Sequence, residues 1–300
     1  MTNDRNDTTL DTFTSDVLTL EADGPIATLW LDRPEKRNAL GPAFWADLPR
    51  AMAALGASRH VRAIVLAAKG PHFSVGLDLT AFGTIGGEPA GDGAEAGGGG
   101  GDRGGHRGPS AAAQARRTRA DVLRLQASVS SISECPIPVI AAIHGYCIGG
   151  GVDLASACDI RLASADAVLS VREAKVAMVA DLGSLQRLPA IIGRGHLAEL
   201  AYTGKDISAA RAAEIGLVNH VYDDVPTLLT EARALAAEIA ANSPLAVQGT
   251  KIVLDACAHR SVAEGLDYVA TWNAGFIRSA DLTEAMTAFM EKRPAHFTGE

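Results

Sequence analysis

Three carboxylates that could move protons follow a run of glycines near the middle of the chain. The glycines occupy positions 149–151, and the acids are Asp153, Glu173 and Asp181. A strand-like apolar run, residues 139–143, precedes the glycines, and we predict a helix after them. Bare backbone N–H groups at the N-terminus of a helix attract negative charge. Two or three acids beside such a site are what the removal and return of a proton next to a carbonyl requires.

Nucleotide-binding motifs do not match this glycine run. A dinucleotide fingerprint has the spacing G-x-G-x-x-G, but three other residues follow Gly145. A phosphate loop ends in Gly-Lys-Ser/Thr, whereas Gly151 is followed by Val152 and Asp153. An oxyanion hole fits better, because it needs one or two unobstructed backbone N–H groups and no lysine. Taken alone, the glycines would favour simple close packing of strand and helix.

Each acid also has a structural explanation. Asp153 could stabilise the N-terminus of its own helix, and Asp181 could cap a helix that begins near Ser184. Glu173 lies between two basic residues and could form an exposed ion pair. The catalytic interpretation therefore depends on the three acids together with the glycines.

Four segments resemble the crotonase superfamily, the enoyl-CoA hydratases and isomerases. They read DRPEKRNAL from Asp32, HFSVGLDL from His72, IHGYCIGGGVDLASACDIRLAS from Ile143 and REAKVAMVADLGSLQRLP from Arg172. The resemblance extends from about residue 17 to the C-terminus. Within the superfamily the Δ3,5-Δ2,4-dienoyl-CoA isomerases carry Asp, Glu and Asp at the positions of the three acids. Hydratases usually have Glu at the first of these positions and Gly at the third.

The resemblance implies an α/β fold, a crotonase-like spiral of ββα repeats with a C-terminal helical trimerisation region. We expect a flexible tail over residues 1–16, the spiral over residues 17–222 and the helical region over residues 223–300. Homotrimers that pair into hexamers are also expected. Residues 83–109 are so rich in glycine that we predict a disordered insertion there.

The implied reaction shifts the double bonds of a 3,5-dienoyl-CoA to give the 2,4-dienoyl-CoA, a step of fatty acid β-oxidation. Asp181 would take the C2 proton, Glu173 would deliver a proton at C6, and Asp153 would tune the electrostatics of the other two. The backbone N–H groups of Leu77 and Gly150 would form the oxyanion hole that stabilises the trienolate.

The acyl-CoA thioester is the expected partner. The resemblance assigns contacts with the coenzyme A moiety to Lys36, Arg37, Val75, Leu79 and Lys292. Coenzyme A is part of the substrate, so no separate cofactor is expected. The eight histidines show no metal-binding spacing, and we expect no metal site.

Two other functions stay open. The first is hydration of a 2-enoyl-CoA, with a water held between Asp153 and Glu173. The second is a non-catalytic homologue that binds RNA or a protein partner. RNA binding would need a basic face, and one cluster offers it: Arg103, His106, Arg107, Arg116, Arg117 and Arg119. A solvated arm explains that cluster more simply.

Composition and charge limit the remaining possibilities for binding partners and cellular location. The net charge of −8 argues against a general nucleic-acid-binding surface. The chain has no run of 18 or more apolar residues, so we expect no membrane span. Its N-terminal region is polar and acidic without an apolar signal segment, and we therefore expect a cytoplasmic location. The four cysteines have no C-x-x-C spacing and are predicted to be reduced core residues.

Overall fold

The computed structural model of the chain describes residue 10 and residues 12–80 and 110–300. These residues form two β-sheets and a set of helices. The strands are β1 (Leu18–Asp23), β2 (Ile26–Leu31), β3 (Ala63–Ala68), β4 (Val139–Ile143), β5 (Tyr146–Ile148), β6 (Ile160–Ser164), β7 (Val168–Ser170), β8 (Ile207–Ser208) and β9 (His220–Tyr222). The larger sheet has the order β1-β2-β3-β4-β6-β9, and the smaller has the order β5-β7-β8.

The described part of the chain contains nine α-helices. They are α1 (Pro42–Ala57), α2 (Ala111–Glu134), α3 (Gly150–Ala157), α4 (Ser184–Thr203), α5 (Ala209–Glu214), α6 (Val225–Ala240), α7 (Pro244–Cys257), α8 (Val262–Phe276) and α9 (Ala280–Glu291). Short 3-10 helices lie at Pro34–Lys36 and Glu173–Val176. Among the described residues, no helix combines the length and the hydrophobicity that a membrane span requires.

The larger sheet is mainly parallel and is covered on both faces. Strands β1 and β2 form an antiparallel hairpin, and the pairs from β2 to β9 are parallel. Every residue of β3, sequence AIVLAA, is buried. One face of the sheet packs in the main core with α1, and the other packs against α6. A parallel strand with two covered faces is expected to be apolar along its whole length, as β3 is.

Two consecutive ββα units place the glycine run and the acids at the same end of the structure. The units are β4-β5-α3 and β6-β7-α4. Their first strands pair in the larger sheet, and their second strands pair in the smaller one, both in parallel. The predicted crotonase-like spiral is confirmed. The smaller sheet was not predicted, because strands of two or three residues carry too little alternation to be recognised.

Most predicted elements of the larger sheet and its surroundings are present. Apolar periodicity predicts a hairpin over residues 17–21 and 26–31, a helix over residues 44–55 despite Pro49, and a strand over residues 63–67. All three are present. The sequence pattern predicts two helices, over residues 186–192 and 196–202. They form the single element α4, which has a non-helical Gly193 with φ of +76°. The apolar run at residues 217–221 predicts a last strand, and that strand, β9, begins at His220. The three buried cysteines and Cys257 are free.

The predicted tail is only partly described. Leu10 is buried in the main core, and Phe13 packs against it. The Ser15 hydroxyl donates to Asp47 of α1 at 2.7 Å. Residues 1–9 and 11 lie outside the described part of the chain, and so does the glycine-rich insertion predicted at residues 83–109.

An ion pair with a buried lysine attaches the C-terminal helices to the spiral. Lys251 Nζ lies 2.8 Å from Asp159 Oδ2, and the two side chains are 6% and 29% exposed. The same Asp159 oxygen accepts the Val139 N–H at the start of β4. Lys251 also donates to the Ile137 carbonyl. The pair thus joins α7 to the strand that leads into the glycine run.

Replacement of Lys251 by methionine should destabilise the protein, because Asp159 would keep its charge without its cation. We expect a loss of about 1–3 kcal/mol in the free energy of unfolding, measured by urea denaturation. The matched control is Lys205→Met, which removes a cation from an exposed pair with Glu199 and should cost less than about 1 kcal/mol. Equal losses for the two variants would contradict the structural role of the Lys251 pair.

Candidate active site

A cavity of about 790 Å³ lies where the two ββα units meet α2. All three acids predicted from the sequence line it, and so do Leu77 and Gly150. The rest of the lining is mainly apolar. Its apolar members include Trp45, Val122, Leu125, Ile148, Val176, Met178 and Leu182.

The ends of two parallel strands bring Glu173 onto the glycine run. Strand β5 ends at Ile148, which pairs with Ser170 at the end of β7. The Gly149 N–H donates to the Ser170 carbonyl at 2.9 Å. A Cβ on Gly149 would lie 3.1 Å from Glu173 Oε1, and Gly149 has φ of +53°. Glycine is therefore needed here both for the backbone conformation and for the approach of the carboxylate.

Asp153 is buried and tied to the following helix. Its side chain is in the first turn of α3, and the residue is 1% exposed. Oδ1 accepts the backbone N–H of Ser184, the first residue of α4, at 2.6 Å. Burial raises the pKa of Asp153 to about 6, while the hydrogen bond from the Ser184 N–H acts in the opposite direction. The helix cap considered for Asp181 is thus made by Asp153.

Glu173 has the strongest preference for a proton among the three acids. Burial raises its pKa to about 7, and the negative charges of Asp153 and Asp181 add to the effect. Its Oε2 is buried and has no hydrogen-bond partner among the described residues. The exposed ion pair considered for Glu173 does not form among the described residues. Its neighbour Arg172 pairs with Asp206 instead. A neutral carboxyl at this position can donate a proton.

Asp181 lies at the rim of the cavity and is more exposed than the other two acids. Partial burial of its carboxyl raises the pKa above the ordinary value. Its backbone carbonyl accepts Gln126 Nε2 of α2 at 2.6 Å. Because water still reaches Asp181, its charged form is penalised less than that of Glu173, and it is suited to accept a proton.

The backbone N atoms of Leu77 and Gly150 lie close together at the cavity wall. A Cβ on Gly150 would lie 3.9 Å from Leu77 N, and one on Gly76 would lie 3.3 Å from Gly150 N. In the described residues neither N–H donates to a backbone carbonyl. Gly76 has φ of +85°, and a Cβ there would come within 2.7 Å of the Ile148 carbonyl oxygen. Two free donors held this close can stabilise one developing oxyanion.

Comparison with known proteins agrees with this geometry. The Enoyl-CoA hydratase/isomerase family model matches residues 21–96 and 91–300. This chain belongs to the enoyl-CoA hydratase/isomerase family. A peroxisomal Δ3,5-Δ2,4-dienoyl-CoA isomerase of Arabidopsis thaliana is 40% identical over 284 residues, which cover 95% of this chain and 96% of that protein. The mitochondrial enzyme of the same name from Dictyostelium discoideum is 42% identical, and the alignment covers 91% of this chain and 87% of that protein.

A solved structure supports the same family. The putative enoyl-CoA hydratase of Streptomyces coelicolor A3(2) has a TM-score of 0.82 and 31% sequence identity, with 96% of each chain covered. The predicted cytoplasmic location is wrong, because the similar isomerases are named as peroxisomal or mitochondrial proteins. The polar N-terminal region was too weak a basis for that prediction.

Only some of the residues expected to contact coenzyme A line the cavity. Arg37, Val75 and Leu79 line the cavity. Lys36 lies in the adjacent 3-10 helix, and Lys292 follows α9; neither belongs to the cavity lining. All five assignments stay predictions. Within the described residues, no cluster of His, Cys, Asp or Glu could hold a metal ion.

Several lining residues were not identified from the sequence. One side of the cavity is formed by Thr118, Val122 and Leu125 of α2. Their spacing of four and three residues places them on one helical face, and this signal could have revealed them. Tyr146 and the Arg172–Asp206 pair also line the cavity. The pair joins residues 34 positions apart, and a single sequence gives no indication of it.

Glu173→Gln should stabilise the protein at alkaline pH. The raised pKa of Glu173 means that folding opposes its ionisation, so stability falls as pH rises from about 4 to about 7. The glutamine variant lacks this cost and should gain about 1–3 kcal/mol at pH 8 and much less near pH 4.5, measured by denaturation at both pH values. Glu238→Gln, at an exposed position, is the control. A variant no more stable than wild type at pH 8 would refute the burial of this carboxyl.

Proposed function

We propose that this chain is a Δ3,5-Δ2,4-dienoyl-CoA isomerase of fatty acid β-oxidation. The observation that supports this most directly is one cavity that contains three carboxylates and two free backbone N–H groups. Proteins of that name align with 88–95% of this chain at 39–42% identity.

The proposed reaction begins with proton loss from C2 of a 3,5-dienoyl thioester. Asp181 accepts this proton, and the electron pair delocalises through a trienolate onto the thioester oxygen. The N–H groups of Leu77 and Gly150 stabilise that oxygen. Glu173 then delivers its proton to C6, which leaves double bonds at C2 and C4. Proton exchange with solvent returns Asp181 to its charged form and Glu173 to its neutral form.

Asp153 is proposed to keep Glu173 protonated without touching the reacting carbons. Its negative charge raises the pKa of Glu173, and its own carboxylate is engaged by the Ser184 N–H. The apolar lining limits access of water to the trienolate, so that the intermediate is protonated at C6. Coenzyme A enters as part of the thioester, and the proposed steps need no further cofactor and no metal.

The C-terminal helices are proposed to join chains into trimers or hexamers. Large apolar side chains are exposed along α7, α8 and α9 and the turn between the last two: Leu254, Val262, Leu266, Phe276, Ile277, Leu282, Met286, Phe289 and Met290. A surface of this kind is typical of contacts between subunits. We propose no nucleic-acid or membrane partner.

Asp181→Asn should abolish isomerisation, because the amide cannot accept the C2 proton. We expect a fall in kcat of at least about 100-fold with KM changed by less than about threefold. The assay follows the stronger ultraviolet absorbance of the 2,4-dienoyl product, with a 2-enoyl-CoA tested in parallel. Hydration of the enoyl substrate without turnover of the dienoyl substrate would refute the proposed isomerase and identify a hydratase.

Asp153→Asn should move the alkaline limb of the pH–rate profile to lower pH. Activity needs a protonated Glu173, whose pKa is about 7, so the rate should fall as pH rises through that value. Removal of the Asp153 charge lowers the pKa of Glu173, while the asparagine oxygen can still accept the Ser184 N–H. Asp223→Asn, which changes an exposed carboxylate, is the control. An unchanged alkaline limb would show that Asp153 does not act on Glu173.

A further inference from the structure

The peptide unit between Gly76 and Leu77 must keep one orientation if the Leu77 N–H is to face the cavity. In a trans peptide the C=O and N–H point in opposite directions, and the described residues contain no cis peptide. The Gly76 carbonyl accepts the Leu40 N–H at 2.8 Å, and the Asp78 N–H donates to the Leu40 carbonyl at 3.0 Å. The bonds to Leu40 therefore also set the direction of the Leu77 N–H.

Ser74 connects this peptide unit to the neighbouring loop. Its hydroxyl donates to the Asn38 carbonyl at 2.7 Å and accepts the Gly76 N–H at 3.1 Å. Ser74 is 0% exposed, so water cannot replace either bond. The hydroxyl thus links Asn38, two positions before Leu40, to Gly76, which precedes Leu77.

The side chain of Asn38 fixes the loop itself. Its Nδ2 donates to the carbonyls of Lys69 and His72 at 2.9 and 2.8 Å, and its Oδ1 accepts the Arg33 N–H at 2.8 Å. Asn38 is 3% exposed and has φ of +55°, a conformation that asparagine tolerates better than most residues. Three bonds from one buried amide hold the segment that carries Leu40.

We propose that Asn38 and Ser74 are positioning residues for the first oxyanion donor. The chain of bonds from Asn38 through Ser74 to Gly76, together with the Leu40 bonds, aims the Leu77 N–H at the thioester oxygen. Neither side chain touches the substrate. The proposal depends on the proposed function in one respect, that an enolate forms at this site.

Ser74→Ala removes both hydroxyl bonds with little change in volume. A misdirected donor weakens stabilisation of the enolate more than binding of the substrate, so kcat should fall about 10- to 100-fold with KM changed less than about threefold. The matched control is Ser128→Ala, because the Ser128 hydroxyl is equally buried and has no partner among the described residues. That variant should keep kcat within about twofold of wild type.

A turnover-independent measurement separates positioning from general structural damage. Acetoacetyl-CoA is a β-keto thioester whose enolate absorbs near-ultraviolet light, so its bound enolate fraction reports oxyanion stabilisation. In Ser74→Ala the ionisation constant of the bound ligand should fall about tenfold. Affinity for hexanoyl-CoA, which forms no comparable enolate, should change less than about threefold. Asn38→Gly removes the amide, and glycine tolerates the same backbone conformation. This variant should show the same changes as Ser74→Ala. It replaces Ser74→Ala if that variant does not fold.

The outcomes distinguish the two proposals. Enolate formation by Ser74→Ala or Asn38→Gly equal to that of wild type would overturn the positioning role. Equal losses of affinity for both ligands would also overturn it, because they would show general damage to the cavity. Wild-type protein that binds hexanoyl-CoA but neither ionises acetoacetyl-CoA nor isomerises a dienoyl-CoA would overturn the proposed function, and that result needs no variant.

Discussion

Transfer of a negative charge from water into an apolar cavity costs free energy, and the arrangement of this site follows from that cost. Three carboxylates share an apolar cavity, and each receives a different degree of compensation. Asp153 accepts a backbone N–H, Asp181 keeps contact with solvent, and Glu173 leaves one oxygen without a partner among the described residues. Because burial penalises charge, the same chemical group is driven toward different protonation states at the three positions. A protonated acid, Glu173, and a charged base, Asp181, can then be present in one cavity.

The fold supplies the places for these groups through backbone contacts. Parallel pairing of β5 with β7 sets Glu173 over Gly149, and the Asp153–Ser184 bond joins α3 to α4. Gly76 and Gly149 have positive φ values, and a side chain on either would intrude on this arrangement. The donors for the oxyanion and the acids for the proton transfers are therefore fixed by the same few turns of the spiral.

The parts predicted from the sequence are those with local or motif-level signals. The hairpin, the buried strand β3, the glycine turn and the gathering of Asp153, Glu173 and Asp181 in one place follow from periodicity or from family motifs. The small sheet was missed because its strands are two or three residues long. The Asp153–Ser184 and Arg172–Asp206 contacts join residues 31 and 34 positions apart, and they arise from tertiary packing that no local pattern records. The prediction of a cytoplasmic location was wrong for another reason, since the physics of folding does not determine the cellular compartment.

The bond between Asp153 and Ser184 also limits how this protein can diverge. The hydratases of the family usually carry glutamate where this chain has Asp153. One additional methylene would move the carboxylate away from an N–H that now lies 2.6 Å from Oδ1, and the first turn of α4 would lose its acceptor. Asp153→Glu therefore alters the junction of α3 and α4 as well as the position of the acid in the cavity.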